Sequence, residues 1–164
     1  MRNTDIQRLC ELFNETEELL EQYSAIAEVI MKTESDELEL LTEKISERQK
    51  LIDRVSKLQS EVTLILDSGD KFEADLIRGM LTGENTNQHI PDELIPVRKA
   101  IVNLRSAHIK AAQNDRNLQL QFESRLQEAK DQLVQLNSDK KKLDYYSSLK
   151  QSGAQLGGAW DGSF

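Results

Sequence analysis

Lys140-Lys141-Lys142, with Tyr145-Tyr146 close behind, is the first place to look for chemistry in this chain. Basic side chains interleaved with aromatics can hold single-stranded nucleic acid by pairing with phosphates and stacking on bases. A plainer role competes with that one, because lysines near the C-terminal end of a helix complement the helix dipole. His89 and His108 could ligate a metal or move a proton, but neither has a companion in a ligand-like arrangement. Cys10 is the single cysteine, and beside Leu9 on an amphipathic pattern it reads as a small buried apolar group. Thr82-Gly83 is isolated and the glycines after Gln151 follow no strand, so no loop is built to cradle phosphate. Carboxylates are numerous, yet they recur at helical spacings that make solvated faces, not an acid–base pair. No catalytic residue, cofactor or metal site is expected.

Bulk composition agrees with that negative result. Of 164 residues, 30% are charged and only 5% aromatic, with two prolines, the profile of a long-helix or coiled-coil protein. The length suits one domain with a respectable core. A lone cysteine excludes an internal disulfide and suits a reducing compartment. No apolar run approaches the roughly 20 residues of a membrane span, and acids interrupt the N-terminus where a signal peptide would be apolar. A cytoplasmic location without membrane insertion is the expectation. The net charge of −8 is uneven: residues 1–82 hold 10 Lys/Arg against 19 Asp/Glu, and residues 83–164 hold 11 against 10. An acidic half beside a near-neutral one fits helices lying side by side, and it lacks the basic footprint of a nucleic-acid binder. No nucleic-acid partner is expected.

The elements that must position these residues are legible from periodicity. Ile6, Leu9, Phe13, Thr16, Leu20, Tyr23, Ala27 and Ile30 keep a strict 3-4 spacing, a helix seam made for other helices. Thr4 with Gln7 has the form of a capping box, which predicts a helix over 5–32. The pattern falters at 32–37, where Glu34 would fall on the buried stripe; a tight turn is expected there, with Thr33 or Ser35 capping the second helix. That second helix, over 36–67, carries Leu38, Leu41, Ile45, Leu51, Ile52, Val55, Leu58, Val62 and Ile65, and ends at Ser68-Gly69. Asp70 with Glu73 caps a short helix over 71–81 that holds Phe72, Leu76, Ile77, Met80 and Leu81 inside. After the loop 82–88, Pro96 suits a first turn, and no breaker interrupts 97–149. The fold expected is all-α: an elongated antiparallel bundle or coiled coil of three long helices and a short one. Residues 1–150 form its single domain, and 151–164 a flexible Gly/Ser-rich tail.

The long helix carries its apolar phase through Ile101, Leu104, Ala111, Leu118, Phe122, Leu126, Ala129, Leu133, Leu136 and Leu143, with one four-residue stutter. At 1.5 Å per residue it runs roughly 80 Å, against roughly 40 and 50 Å for the two before it. One end of it must then present a bare apolar face, and a bare face implies a partner. Leu126, Leu133, Leu136 and Leu143 are the expected anchors.

Two stretches carry a family resemblance. Leu38-Glu39-Leu40-Leu41 leading to Glu47-Arg48-Gln49-Lys50-Leu51-Ile52, and Gln113-Asn114-Asp115-Arg116-Asn117-Leu118, resemble the flagellar export chaperones of the FlgN type. The resemblance covers most of the helical body. It implies a cytoplasmic chaperone that binds the terminal helices of flagellar hook-associated (hook–filament junction) proteins and delivers them to the export gate. It also implies that a tyrosine near the end of the helical body docks on that gate, and Tyr145 or Tyr146 is the matching position. The Gly-rich extension ending in Trp160 and Phe164 departs from the family's pattern. Those two aromatics are expected to serve as anchors, held for a partner or for the molecule's own exposed groove, on an otherwise disordered tail. The alternative is a homodimeric coiled-coil adaptor or structural protein, whose bare stripe pairs with its own copy.

Overall fold

A computed structural model describes residues 2–34, 37–84 and 89–157, with side chains as far as Ser148. It is all-α: α1 (Asn3–Lys32), α2 (Leu38–Ser68), α3 (Lys71–Thr82), a 3-10 turn (Asp92–Leu94) and α4 (Ile95–Gly157), with no strand among the described residues. The chain divides into two units, residues 1–119 and 120–164, and α4 contributes to both.

The seam of α1 is buried as its spacing requires: Leu9, Leu12, Phe13, Leu20 and Ile30 are inaccessible or nearly so, while Tyr23 is half-buried. The helix starts two residues earlier than the Thr4–Gln7 pattern predicts. The Asp5 carboxylate accepts the Arg2 backbone N–H at 3.2 Å and pairs with the Arg2 guanidinium at 3.3 Å, so the acid three residues in does the capping. At the other end, Thr33 closes α1 instead of opening α2. Its backbone is extended, its N–H donates to Ile30 O and Val29 O, and its hydroxyl donates to Val29 O at 2.9 Å. Glu37 then accepts the Glu34 N–H at 3.2 Å and leads into α2. Ser35, the other expected cap, lies outside the described residues.

α1 and α2 form an antiparallel hairpin, tied across its length by Arg8 to Glu61 (2.8 Å) and Arg54 to Glu15 (3.2 Å). The buried face of α2 matches the expected one at Leu41, Val55, Leu58 and Val62 and departs from it at Leu38 and Ile45. Leu41, Val55, Leu58, Val62 and Leu66 are buried, whereas Leu38 and Ile45 are exposed. A seven-residue step from Leu41 passes through position 48 on its way to Val55 and Val62, so Arg48 occupies a seam position that an aliphatic residue would ordinarily fill. Its side chain is only 14% exposed.

Asp70 caps α3 by accepting the Glu73 N–H at 3.1 Å, as the sequence pairing predicts. Phe72, expected inside, is exposed; Ala74, Leu76, Ile77 and Met80 form the buried face, one helical turn apart. α3 ends at Gly83, whose φ of 84° and N–H to Gly79 O bond make a left-handed C-cap. A Cβ at that position would come within 2.6 Å of the Arg105 guanidinium, the end of a flexible side chain that can move aside, so it is the left-handed backbone that calls for glycine.

Pro91 and the 3-10 turn deliver the chain into α4, where Pro96 sits in the first turn and needs no donor. Leu94, Val97, Ile101 and Leu104 join Leu9, Leu12, Val55, Leu58 and Ile77 in one core. Leu118 closes a second, smaller cluster with Ala27, Ile30 and Leu41 at the α1–α2 turn. α4 runs on past the expected end near 149 to Gly157. Ala154, Gln155 and Leu156 are good helix formers, and one glycine among them costs only about 1 kcal/mol. The expected tail therefore begins as helix, and 158–164 lie outside the described residues.

Candidate functional site

Two features stand out, one in each unit. Within residues 1–119, Tyr23, Arg48 and Asp115 meet where α1, α2 and α4 come together. The Arg48 guanidinium stacks on the Tyr23 ring, 3.7 Å from its centroid. It also pairs with the Asp115 carboxylate, which accepts the Tyr23 hydroxyl at 3.1 Å. Next to it, Asn114 donates to the Ser24 carbonyl at 3.2 Å. Burial holds the Tyr23 phenol above its ordinary range, with Arg48 opposing and Asp115 adding to the shift. Arg48 Nε and Ser24 Oγ are buried here without a hydrogen-bond partner among the described residues. Arg48 and Asp115 belong to the two stretches that carry the family resemblance, and their joint task here is to lock three helices in register. Sequence reasoning missed the cluster: it counted Tyr23 as one more apolar seam residue and left Arg48 and Asp115 unconnected.

A cavity of about 350 Å³ lies under α3, lined by Phe13, Val62, Leu66, Leu104, Arg105 and His108 among others. Burial pushes the His108 imidazole below its ordinary value of 6.5. Cys10 is partly buried, and burial raises its thiol. Among the described residues no three His, Cys, Asp or Glu side chains converge to hold a metal.

Residues 120–148 present the second feature. Leu126, Leu133, Leu136 and Leu143 are 57, 60, 65 and 69% exposed, in contrast to Val97, Ile101, Leu104 and Leu118 earlier on the same helix, which are buried. At about 100° per residue the four leucines fall within an arc of about 100°, with Phe122 and Ala129 inside it. Lys140 falls in the same arc and breaks the apolar run near its C-terminal end.

The two tyrosines do not share this face equally. Tyr146 lies about 60° from Leu143, at the edge of the stripe, whereas Tyr145 falls on the opposite side of the helix. Both are exposed, and their rings meet edge to face with centroids 6.0 Å apart. Lys142 pairs with Asp139 at 3.6 Å. The expected anchors Trp160 and Phe164 lie outside the described residues. No described helix is long and apolar enough to cross a membrane.

No family model matches this chain, and neither a curated protein nor a solved structure matches it.

Proposed function

We propose that this protein is a cytoplasmic export chaperone that holds an amphipathic helix of an unfolded client against the C-terminal part of α4. The observation that carries it is the change along one helix: leucines buried up to position 118 and more than half exposed at 126, 133, 136 and 143. An apolar arc left in water, even with Lys140 within it, is a surface for another apolar surface. A helix laid into it would contribute anchors at helical spacing, the usual mode of helix-in-groove recognition. Lys140 in the arc favours a client helix with an acidic residue at that point, and so adds direction to otherwise greasy contacts. The resemblance to FlgN-type chaperones supplies the client class, the terminal helices of flagellar hook-associated proteins. It also supplies the destination, the export gate, with Tyr145 or Tyr146 as the docking side chain. No enzymatic step belongs to this role.

The test is a titration of the full chain into fluorescently labelled peptides that span those terminal helices. Binding with a gain in peptide helicity is expected. A peptide that stays unbound and disordered at every concentration would count against the assignment.

A further inference from the structure

The 3-4 spacing from Phe122 to Leu143 gives every residue of that segment a coiled-coil position. Leu126, Leu133 and Lys140 take a; Phe122, Ala129, Leu136 and Leu143 take d. The flanking positions then hold Arg125, Gln132 and Asp139 on one side (g) and Glu123, Lys130, Asn137 and Asp144 on the other (e).

These flanks discriminate between ways of pairing two identical helices. In a parallel pair each g residue faces the e residue five positions on in the other helix. Arg125 would meet Lys130, Asp139 would meet Asp144, and the two Lys140 side chains would face each other inside the seam. Like charges meet at both charged g–e pairs and at Lys140. In an antiparallel pair g faces g and e faces e, and one register sets Leu126 against Leu136 of the second copy. There Arg125 faces Asp139 twice, Ala129 makes room for Leu133, and Lys140 lies over Phe122. Lys130, near the two-fold axis, is the one like-charge encounter. Sliding the copies by a heptad in either direction separates Arg125 from Asp139.

We infer that residues 122–143 of α4 pair antiparallel with the same segment of a second copy, Leu126 against Leu136 and Arg125 against Asp139. The arrangement is isologous, as a closed dimer requires. A charged residue at a single a position is a known device for fixing register and oligomeric state at some cost in stability. Three heptads with two Ala129 layers and two Lys140 layers make a weak, reversible dimer. Its role is to cover the stripe when nothing else does. Tyr145, on the outer side of the helix, stays exposed in such a pair. The inference needs no client and stands apart from the chaperone assignment.

Sedimentation equilibrium on the purified full chain, alone, tests it. The wild type is expected to pass from monomer to dimer with rising concentration. Arg125→Asp and Asp139→Arg should each move that midpoint about tenfold higher, since attraction becomes repulsion at two symmetric sites. Their equimolar mixture, and the double variant with both changes in one chain, should restore it and so control for folding. In a parallel dimer Arg125→Asp would face Lys130 and pair more tightly, which would overturn the inference. So would a wild type that stays monomeric throughout, or a charge swap that restores nothing. Peptide binding by such a monomer would leave the chaperone role untouched.

Discussion

Arg48 shows how much one side chain decides in this molecule. It sits at a seam position of α2, covers the ring of Tyr23 and answers the charge of Asp115, so three helices share one guanidinium. Removing its counter-charge leaves a largely buried cation. Asp115→Asn is expected to cost about 1–2 kcal/mol, less than the about 3–5 kcal/mol of a fully buried pair because Asp115 is 47% exposed. Tyr23→Phe should cost about 1 kcal/mol, the loss of one hydrogen bond with the ring kept. Chemical denaturation of both variants checks these values. The cluster is invisible in sequence because the contact between residues 48 and 115 has no periodic signature, and Tyr23 already has an apolar explanation.

His108 makes a second prediction at this scale. Its folded value lies below the ordinary 6.5, so the unfolded chain takes up a proton first as the pH drops. Above about 6.5 the group contributes nothing to the pH dependence. Below it, stability is lost until the folded value is reached. His108→Gln should flatten the fall in stability as the pH drops below about 6.5, relative to wild type, measured by urea denaturation at each pH.

At the scale of elements, periodicity locates all four helices and sets their ends within a few residues, except at the C-terminus of α4. The turn between α1 and α2 is legible as well, because a continuous helix would bury Glu34. The phase of α2 is legible at Leu41, Val55, Leu58 and Val62 but not between the first two of these. A reader who looks only for aliphatic residues passes from Leu41 to Ile45 and skips Arg48, whose long stem fills the seam while its head finds Asp115. The corrected phase has a consequence for stability. Leu66→Ala should cost about 2–5 kcal/mol, whereas Ile45→Ala, on an exposed position, should stay within about 0.5 kcal/mol. Equal costs in thermal or chemical melts would mean that α2 is rotated from the orientation described. Phe72 obeys the same logic in reverse: an aromatic just inside a capped helix reads as core, but the buried arc of α3 passes through positions 74, 76, 77 and 80 and leaves Phe72 just beyond its edge, in the first turn.

For the whole molecule, the question is which leucines hold it together. The core of residues 1–119 draws on every helix, with Leu9, Ile77, Leu94 and Val97 fully inaccessible. The stripe at 126–143 contributes to no core cluster among the described residues, although its spacing in sequence is indistinguishable from that of a core seam. Its exposure is inferred from helix lengths, because the residues themselves carry no sign of it. The two kinds of leucine should therefore separate in experiment. The most direct measurement pairs a thermal melt with a client-peptide titration on the variant Leu133→Ala, Leu136→Ala, both at a concentration where the wild-type chain is monomeric. Leucines at 60 and 65% exposure stabilise the folded chain little, so the melt should stay close to wild type while peptide binding is lost. A melt several degrees lower, or peptide binding at wild-type strength, would contradict the assignment of this stripe as the client surface.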